Sequence, residues 1–315
     1  MVLVTGAAGF IGFHVARALL ERGERVVGID SVNNYYDPAL KEARLRILHE
    51  HDAFAFERLD ICDYDGLARV FGNAAPEKVC HLAAQAGVRY SLTDPFVYQK
   101  SNNEGFLNLL ECARHARVSN FVFASTSSVY GANTKMPFSE ADRTDTPMSL
   151  YAATKKANEV TAHAYSRLFG VPCSGLRFFT VYGPWGRPDM ALFIFTKAIL
   201  EGKPVDVFNF GKMKRNFTYV DDIVQGVLLV LDTPRPYEIY NIGNDRTVGL
   251  LDFVREIEHC LDARAAMNML PMQPGDIAAT EADIRKIRAL GYAPATNVDA
   301  GVREFVNWYR QHYHC

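Results

Sequence analysis

There is no CxxC pair in this chain, and its six cysteines, Cys62, Cys80, Cys112, Cys173, Cys260 and Cys315, lie far apart. That spacing argues against a zinc ribbon or a disulfide framework and fits reduced thiols in a cytosolic protein. An excess of one charge is missing too: 34 Lys and Arg face 36 Asp and Glu, for a formal net charge of −2. A nucleic acid or an anionic membrane surface is therefore not the expected partner. Long apolar runs are absent. IVQGVLLVL, 223–231, falls well short of the roughly 20 residues a membrane span needs. The opening MVLVTGAAGF reads as a strand and a glycine turn, not as a basic, apolar leader. No internal repeat stands out. What is present is apolar substance, 49% of 315 residues, enough for one large α/β unit or two joined domains acting on a small molecule.

The apolar pattern alternates. VLVTG (2–6) is a short strand, FIGFHVARALLERG (10–23) has helical spacing, and RVVGID (25–30) is a second buried strand. The rhythm continues through strands at 56–61 and 78–84, a helix over 100–116, a strand at 120–126, a helix from Tyr151 and a strand at 173–179. Such alternation predicts an α/β fold with a doubly wound parallel sheet, of the Rossmann type, over residues 1–180. Beyond 180, Pro and Gly punctuation (YGPWGRP, EGKP, DTPRP, LPMQPG) breaks the rhythm. Residues 181–315 are expected to form a smaller, interleaved substrate lobe, with FTYVDDI and YEIYNIGN, near 217–245, returning to the first sheet.

Gly6, Gly9 and Gly12 form GAAGFIG between the first strand and helix. Missing side chains there permit a tight turn, close backbone approach to a pyrophosphate and close helix packing, with the phosphate at the helix N-terminus. Asp30 ends the second strand, placed to accept from a ribose diol and to repel a 2′-phosphate, which favours NAD over NADP. Arg44 and Arg46 are either phosphate ligands or a solvated helix face. Asp60 either meets the adenine edge or caps a turn.

Tyr151 and Lys155 stand one helical turn apart, so on a helix they share a face. A phenol with an ordinary pKa of about 10 must gain roughly 4 kcal/mol of phenolate preference to act as a base near pH 7. A cation about 4.5 Å away, at an effective dielectric near 20, supplies about that much. Lys155, helped by a nicotinamide cation, is expected to do so.

Together TGAAGFIG, HLAAQAG, STSSVYG and YAATK resemble an extended short-chain dehydrogenase/reductase over essentially the whole chain. SVNNYYDPALK, AAQAGVRYSL, RFFTVYGPWGRPDMALF and MKRNFTYVDDI are similar, more narrowly, to the UDP-glucuronate 4-epimerases. The resemblance implies an NAD-dependent isomerase of a UDP-sugar that works as a homodimer. It further implies that Phe10, Ile11, Asn33, Ile61, Leu82, Ala83, Ala84, Asn102 and Phe178 join the glycines, Asp30, Tyr151 and Lys155 around the cofactor. His81 to Gln85 would run under it. For Asn102 and His81, capping is the alternative role. Dimer contacts would come from helices at 100–116 and 151–168, where Phe106, Leu109, Leu110, Val160 and Leu168 could equally be core.

STSSVYG separates the possible reactions. In the family the residue at Thr126 holds the sugar 4-hydroxyl; 4,6-dehydratases follow it with Asp-Glu, and UDP-glucuronate decarboxylases carry a Glu just before VYG. Here Ser127 and Ser128 stand instead, either holding a sugar carboxylate or satisfied within the strand end. The missing acid points to hydride removal and return alone, through a transient 4-keto sugar, with the cofactor unchanged. Thr180 occupies the place where galactose-type epimerases have an Asn, which implies a different group at C6. Arg187 and Arg215 are candidates for diphosphate or uridine, or surface charges, and Asp276 for the uridine ribose. At or near Gln273, where many relatives carry Arg, this chain has a neutral amide. A UDP-glucose 4-epimerase, a UDP-glucuronate decarboxylase and a non-catalytic NAD-sensing protein remain the alternatives.

Overall fold

A computed structural model describes residues 1–273 and 276–315. The strands are β1 (Val2–Thr5), β2 (Val26–Asp30), β3 (Phe54–Arg58), β4 (Lys78–His81), β5 (Asn120–Thr126), β6 (Cys173–Phe178), β7 (Thr180–Tyr182), β8 (Val205–Val207), β9 (Lys214–Arg215), β10 (Phe217–Tyr219), β11 (Tyr237–Ile242), β12 (Val248–Gly249) and β13 (Met267–Met269). Seven of them form a parallel sheet in the order β11-β6-β5-β4-β1-β2-β3. The helices are α1 (Phe10–Glu21), α2 (Pro38–Leu48), α3 (Tyr64–Ala74), α4 (Pro95–Tyr98), α5 (Gly105–Ala116), α6 (Leu150–Phe169), α7 (Ala191–Leu200), α8 (Val220–Leu231), α9 (Leu250–Leu261), α10 (Arg285–Arg288) and α11 (Val298–Tyr313).

Helices cover both faces of the sheet, so its central strands are buried along most of their length; VLVT of β1 is buried at all four positions. On one face lie α3 and α5 with α6; on the other, α1 and α8 share a core that continues into α7, α9 and α11. No helix among the described residues is long and apolar enough to cross a membrane.

Several expected boundaries move. YEIYNI joins the large sheet as the edge strand β11, but FTY, expected there too, pairs instead with β7, Phe217 opposite Thr180. The chain then enters α8, whose apolar face packs on α1, so it is this helix and not the strand that returns to the first unit. Strand β3 stops at Arg58, leaving Asp60 in a turn, and residues 82–84 leave the sheet after His81. The helix expected at 100–116 begins earlier and contains a π-helical stretch, Gln99–Glu104, whose widened turn carries Asn102 inward. Phe106, Leu109 and Leu110 are core, at most 1% exposed, whereas Val160 and Leu168 are 58% and 73% exposed. Arg44, read as a phosphate ligand or a solvated charge, is neither: it is fully buried on backbone carbonyls, while Arg46 is exposed.

Helix α6 is bounded by its own sequence. The Ser149 hydroxyl accepts from the Ala152 N–H at 3.1 Å, and Gly170 closes the far end in the left-handed region. A buried ion pair anchors it. Glu159 accepts from Arg177 Nε and Nη2 at 2.8 and 2.9 Å and from the Ser125 hydroxyl at 2.7 Å. Arg177 also donates to the Tyr130 hydroxyl, which donates to Asn241, so α6 is tied through β6 to β5 and β11. Burial alone would raise the Glu159 carboxyl, but the guanidinium on it leaves it below the ordinary value. Glu159→Gln breaks the pair and is expected to cost about 3–5 kcal/mol in a denaturant titration at neutral pH. Because the native carboxyl titrates low, its contribution is present above the unfolded pKa and lost in acid. The gap between parent and variant should close as pH falls through that lowered pKa.

Candidate active site

The glycine turn is built by close contacts. Gly6 has φ +72°, and a Cβ on it would lie 2.8 Å from the backbone nitrogen of Ala83. A Cβ on Gly12 would lie 2.0 Å from the Gly6 carbonyl oxygen, so neither position accepts a side chain. Leu82 and Ala83 thus run directly against the turn, with Ala84 following them. Helix α1 starts at Gly9 with no side-chain cap and no acid in its first turn, leaving the N-terminal N–H groups of Phe10, Ile11 and Gly12 for an anion. Asp30 receives the Ala8 N–H at 3.1 Å and the Val32 N–H at 2.8 Å, which fixes its carboxylate beside that turn. Asn33 accepts from Lys41 Nζ at 2.7 Å. Bare glycines, an uncapped helix and a carboxylate at the end of β2 fit a dinucleotide with a free ribose diol.

Other expected cofactor residues have more local tasks. Asp60 accepts from the Cys62 N–H at 2.9 Å, the turn-capping alternative. Ile61 is buried against Gly105, where a Cβ would come within 2.5 Å of it. The Asn102 side chain accepts from the Gln85 N–H and donates to Gln85 O and Thr154 Oγ1, bracing the 82–86 segment on α6. Phe178 closes β6, 7% exposed. His81 is neutral in its burial and paired with Thr5 at 2.7 Å.

Tyr151, Lys155 and Thr126 converge where α6 crosses the end of β5. Lys155 is 1% exposed and donates to the Ala124 carbonyl at 3.0 Å; burial lowers its pKa to about 8. The Tyr151 phenol is set first by its burial. Burial raises its pKa, opposed by the Thr126 hydroxyl and the charge of Arg187, while the Lys155 ammonium is committed to the Ala124 carbonyl. Thr126 Oγ1 caps the following 3₁₀ turn, accepting from the Ser128 N–H at 3.2 Å and donating to Ser128 Oγ at 3.2 Å. Ser127 and Ser128 are half-buried on that turn, not on a strand.

The substrate candidates fall into two groups. Thr180 and Arg187 line one cavity of about 30 Å³ with Gly183, Leu192, Phe305 and the cofactor candidate Phe10. Arg187 holds Asp189 through Nε at 3.0 Å, and Asp189 accepts from the Tyr35 hydroxyl at 3.1 Å. Arg215 and Asp276 meet elsewhere, with Arg89, whose Nη2 lies 3.5 Å from Asp276 and whose guanidinium covers Phe208 at 4.9 Å. Gln273 accepts the Asp276 N–H through its carbonyl; Pro274 and Gly275 of that motif lie outside the described residues. The sequence reading named Arg44 without its burial and passed over Arg89 and the pair Glu159–Arg177. Arg89 stood within AAQAGVRYSL, and Glu159 stood one turn beyond Lys155 on the same helical face.

A Rossmann sheet with a glycine turn and a Tyr-Lys pair on the neighbouring helix defines a nucleotide-dependent short-chain oxidoreductase or epimerase. The model of the NAD dependent epimerase/dehydratase family matches residues 2–243, and the chain belongs to that family. It is 49% identical to UDP-glucuronate 4-epimerase 4 of Arabidopsis thaliana, over 99% of this chain and 76% of that protein. The crystal structure of UDP-glucuronic acid 4-epimerase from Bacillus cereus, in complex with UDP-glucuronic acid and NAD, superposes with a TM-score of 0.93 at 37% identity, covering 99% of each chain. The UDP-glucose 4-epimerase of Thermus thermophilus, in complex with NAD, gives 0.88 at 31% identity over 98% of each chain.

A lysine with its pKa lowered by burial costs stability wherever it is still charged in the fold, below about pH 8. Lys155→Met should therefore raise the unfolding free energy at pH 7, by on the order of 3 kcal/mol, while lowering turnover at least ~10²-fold. The stability gain should fade as pH rises from about 8 toward the ordinary lysine value, which thermal melts across that range would read.

Proposed function

We propose that this chain is a UDP-glucuronate 4-epimerase, inverting C4 to give UDP-galacturonate through a transient 4-keto sugar. The observation that carries the reading is the turn that follows Thr126 beside Tyr151: Ser127 and Ser128 stand on it, half-buried, where an acid would be needed for other chemistry. Elimination or deliberate decarboxylation needs a further acid or base, and the turn after Thr126 offers only serine hydroxyls. The similarity to proteins named for this reaction points the same way.

Tyr151 takes the 4-hydroxyl proton, Thr126 orients that oxygen, and Lys155 supplies a fixed positive charge beneath the helix turn that carries the phenol. Gly6, Gly9, Gly12 and Asp30 would hold NAD, which when bound would supply the acceptor and donor for the C4 hydride. Between the two transfers the 4-keto sugar must turn its other face to the same groups, so the chain has to hold the UDP portion while releasing the ring. We assign that hold to Arg187 and to the Arg89, Arg215 and Asp276 cluster, since guanidinium suits phosphate oxygens. A 4-keto group lies β to the carboxylate and invites its loss. Ser127, Ser128 and Thr180 restrain the carboxylate's orientation against that.

The assembly we propose is a homodimer. Phe96, Leu107, Val160 and Leu168 stand exposed on α4, α5 and α6, side chains whose burial a second copy would supply. The free, scattered cysteines suit a cytoplasmic setting. Light scattering should return twice the 35.3 kDa chain mass; a monomer would count against the dimer alone.

Purified protein given UDP-glucuronate without added NAD should yield UDP-galacturonate. A UDP-pentose as main product would make it a decarboxylase, and turnover of UDP-glucose in preference to UDP-glucuronate would remove the assignment of Ser127, Ser128 and Thr180. Replacing Thr126, Ser127 and Ser128 should slow turnover and raise the pentose share of what product forms. An unchanged share would contradict their role in restraining the carboxylate.

A further inference from the structure

We infer that Arg44 is a positioning residue for nucleotide-sugar binding, pinning the turn that carries Arg187 to the glycine turn; this rests on the assignment of Arg187 to the substrate's anionic groups. Arg44, on α2, is 0% exposed. Its recorded contacts are neutral oxygens: Nη1 donates to the Ala8 carbonyl and to the Tyr36 hydroxyl, both at 2.7 Å, and Nη2 donates to the Trp185 carbonyl at 2.6 Å. A guanidinium buried with carbonyls as its ligands is expensive to keep, and what it accomplishes here is to bridge two segments far apart in sequence. One is the middle of the glycine turn. The other is the turn of YGPWGRP that ends in Arg187.

That second turn needs holding. Trp185 has φ +60°, a conformation that a bulky side chain adopts only when its surroundings impose it. Its ring is packed on Phe13, Trp308 and His312, at centroid distances of 5.6, 5.2 and 4.9 Å. Its carbonyl is held by Arg44. The preceding carbonyl, of Pro184, faces His14 Nε2 at 3.0 Å. A carbonyl only accepts, so Nε2 carries the proton, and burial keeps this ring neutral by lowering its pKa to about 3. Two successive carbonyls are thus fixed by α1 and α2, the helices that also shape the dinucleotide site. Arg187 leaves that turn two residues later, and its charge reaches Tyr151. Without Arg44, Trp185 is free to relax, and Arg187 with it, while Tyr151, Lys155 and Thr126 keep their places on α6 and β5.

The test is a double-mutant cycle on the full chain, with kcat and KM for UDP-glucuronate and calorimetric binding of UDP as readouts. Arg44→Met should raise KM and the UDP dissociation constant about tenfold, the loss of one good interaction, with kcat much less affected. Arg187→Ala should raise KM and the UDP dissociation constant likewise, and should also lower kcat because its charge no longer reaches Tyr151; the double variant should bind UDP no worse than Arg187→Ala alone, because one residue acts through the other. Arg44→Lys, which keeps the charge but not the fork, should fall between parent and Arg44→Met; if the methionine variant does not fold, the lysine variant completes the cycle. A variant at Arg44 that melts earlier yet keeps parental KM and UDP affinity overturns the inference, as does an additive cycle, and either leaves the role of Arg187 standing. An Arg187→Ala variant with parental UDP affinity overturns both.

Discussion

A lysine ammonium buried against one backbone carbonyl is the constraint around which the catalytic end of this protein is arranged. Lys155 is kept out of water by α6 above and the end of β5 below, and its pKa is lowered to about 8 as a consequence. Such a charge stays in place only if the helix that carries it cannot shift, because any opening would let it escape to solvent. The serine cap at one end, the left-handed glycine at the other and the Glu159–Arg177 pair between α6 and β6 provide that rigidity. Thr126 shares the same anchor: its neighbour Ser125 donates to Glu159, so the strand end and the helix are fixed to one carboxylate. Proton transfer at C4 requires the phenol, the hydroxyl and the cation to hold their relative positions to within a fraction of an ångström.

The opposite requirement applies to the substrate lobe. A sugar ring that must present both faces to one Tyr cannot be held tightly itself, so binding has to come from the nucleotide end. On the proposed reading these duties fall to different places: hydroxyls and a phenol on the β5 and α6 side, arginines on the turns beyond β6 and in the Arg89, Arg215 and Asp276 cluster. Arg44 and His14 tie the turn at 183–187 to the glycine turn and to α1 and α2 through buried contacts.

What the sequence disclosed was local. The glycine turn, Asp30 and the Tyr151–Lys155 spacing each express a short-range rule, and the parallel, doubly wound sheet followed from strands alternating with helices. Long-range partners were hidden. Arg44 sits among charged residues on an amphipathic helix and nothing in KEARLRI separates the buried arginine from the exposed one. FTY reads like any short apolar strand, and its partner β7 is recognised only once the chain is folded. The surroundings of Tyr151 were hidden for a related reason: a helical turn fixes how close Lys155 can come, but not where its ammonium points or how deeply the phenol is buried. The absent carboxylate after Thr126 was legible because it is a matter of composition.

The central claim is that C4 is inverted by removing and returning one hydride, without exchange to water. Turnover of UDP-glucuronate deuterated at C4, in ordinary water, tests it directly. UDP-galacturonate that retains its deuterium at C4 is the predicted result, whereas product that carries solvent hydrogen there would contradict it.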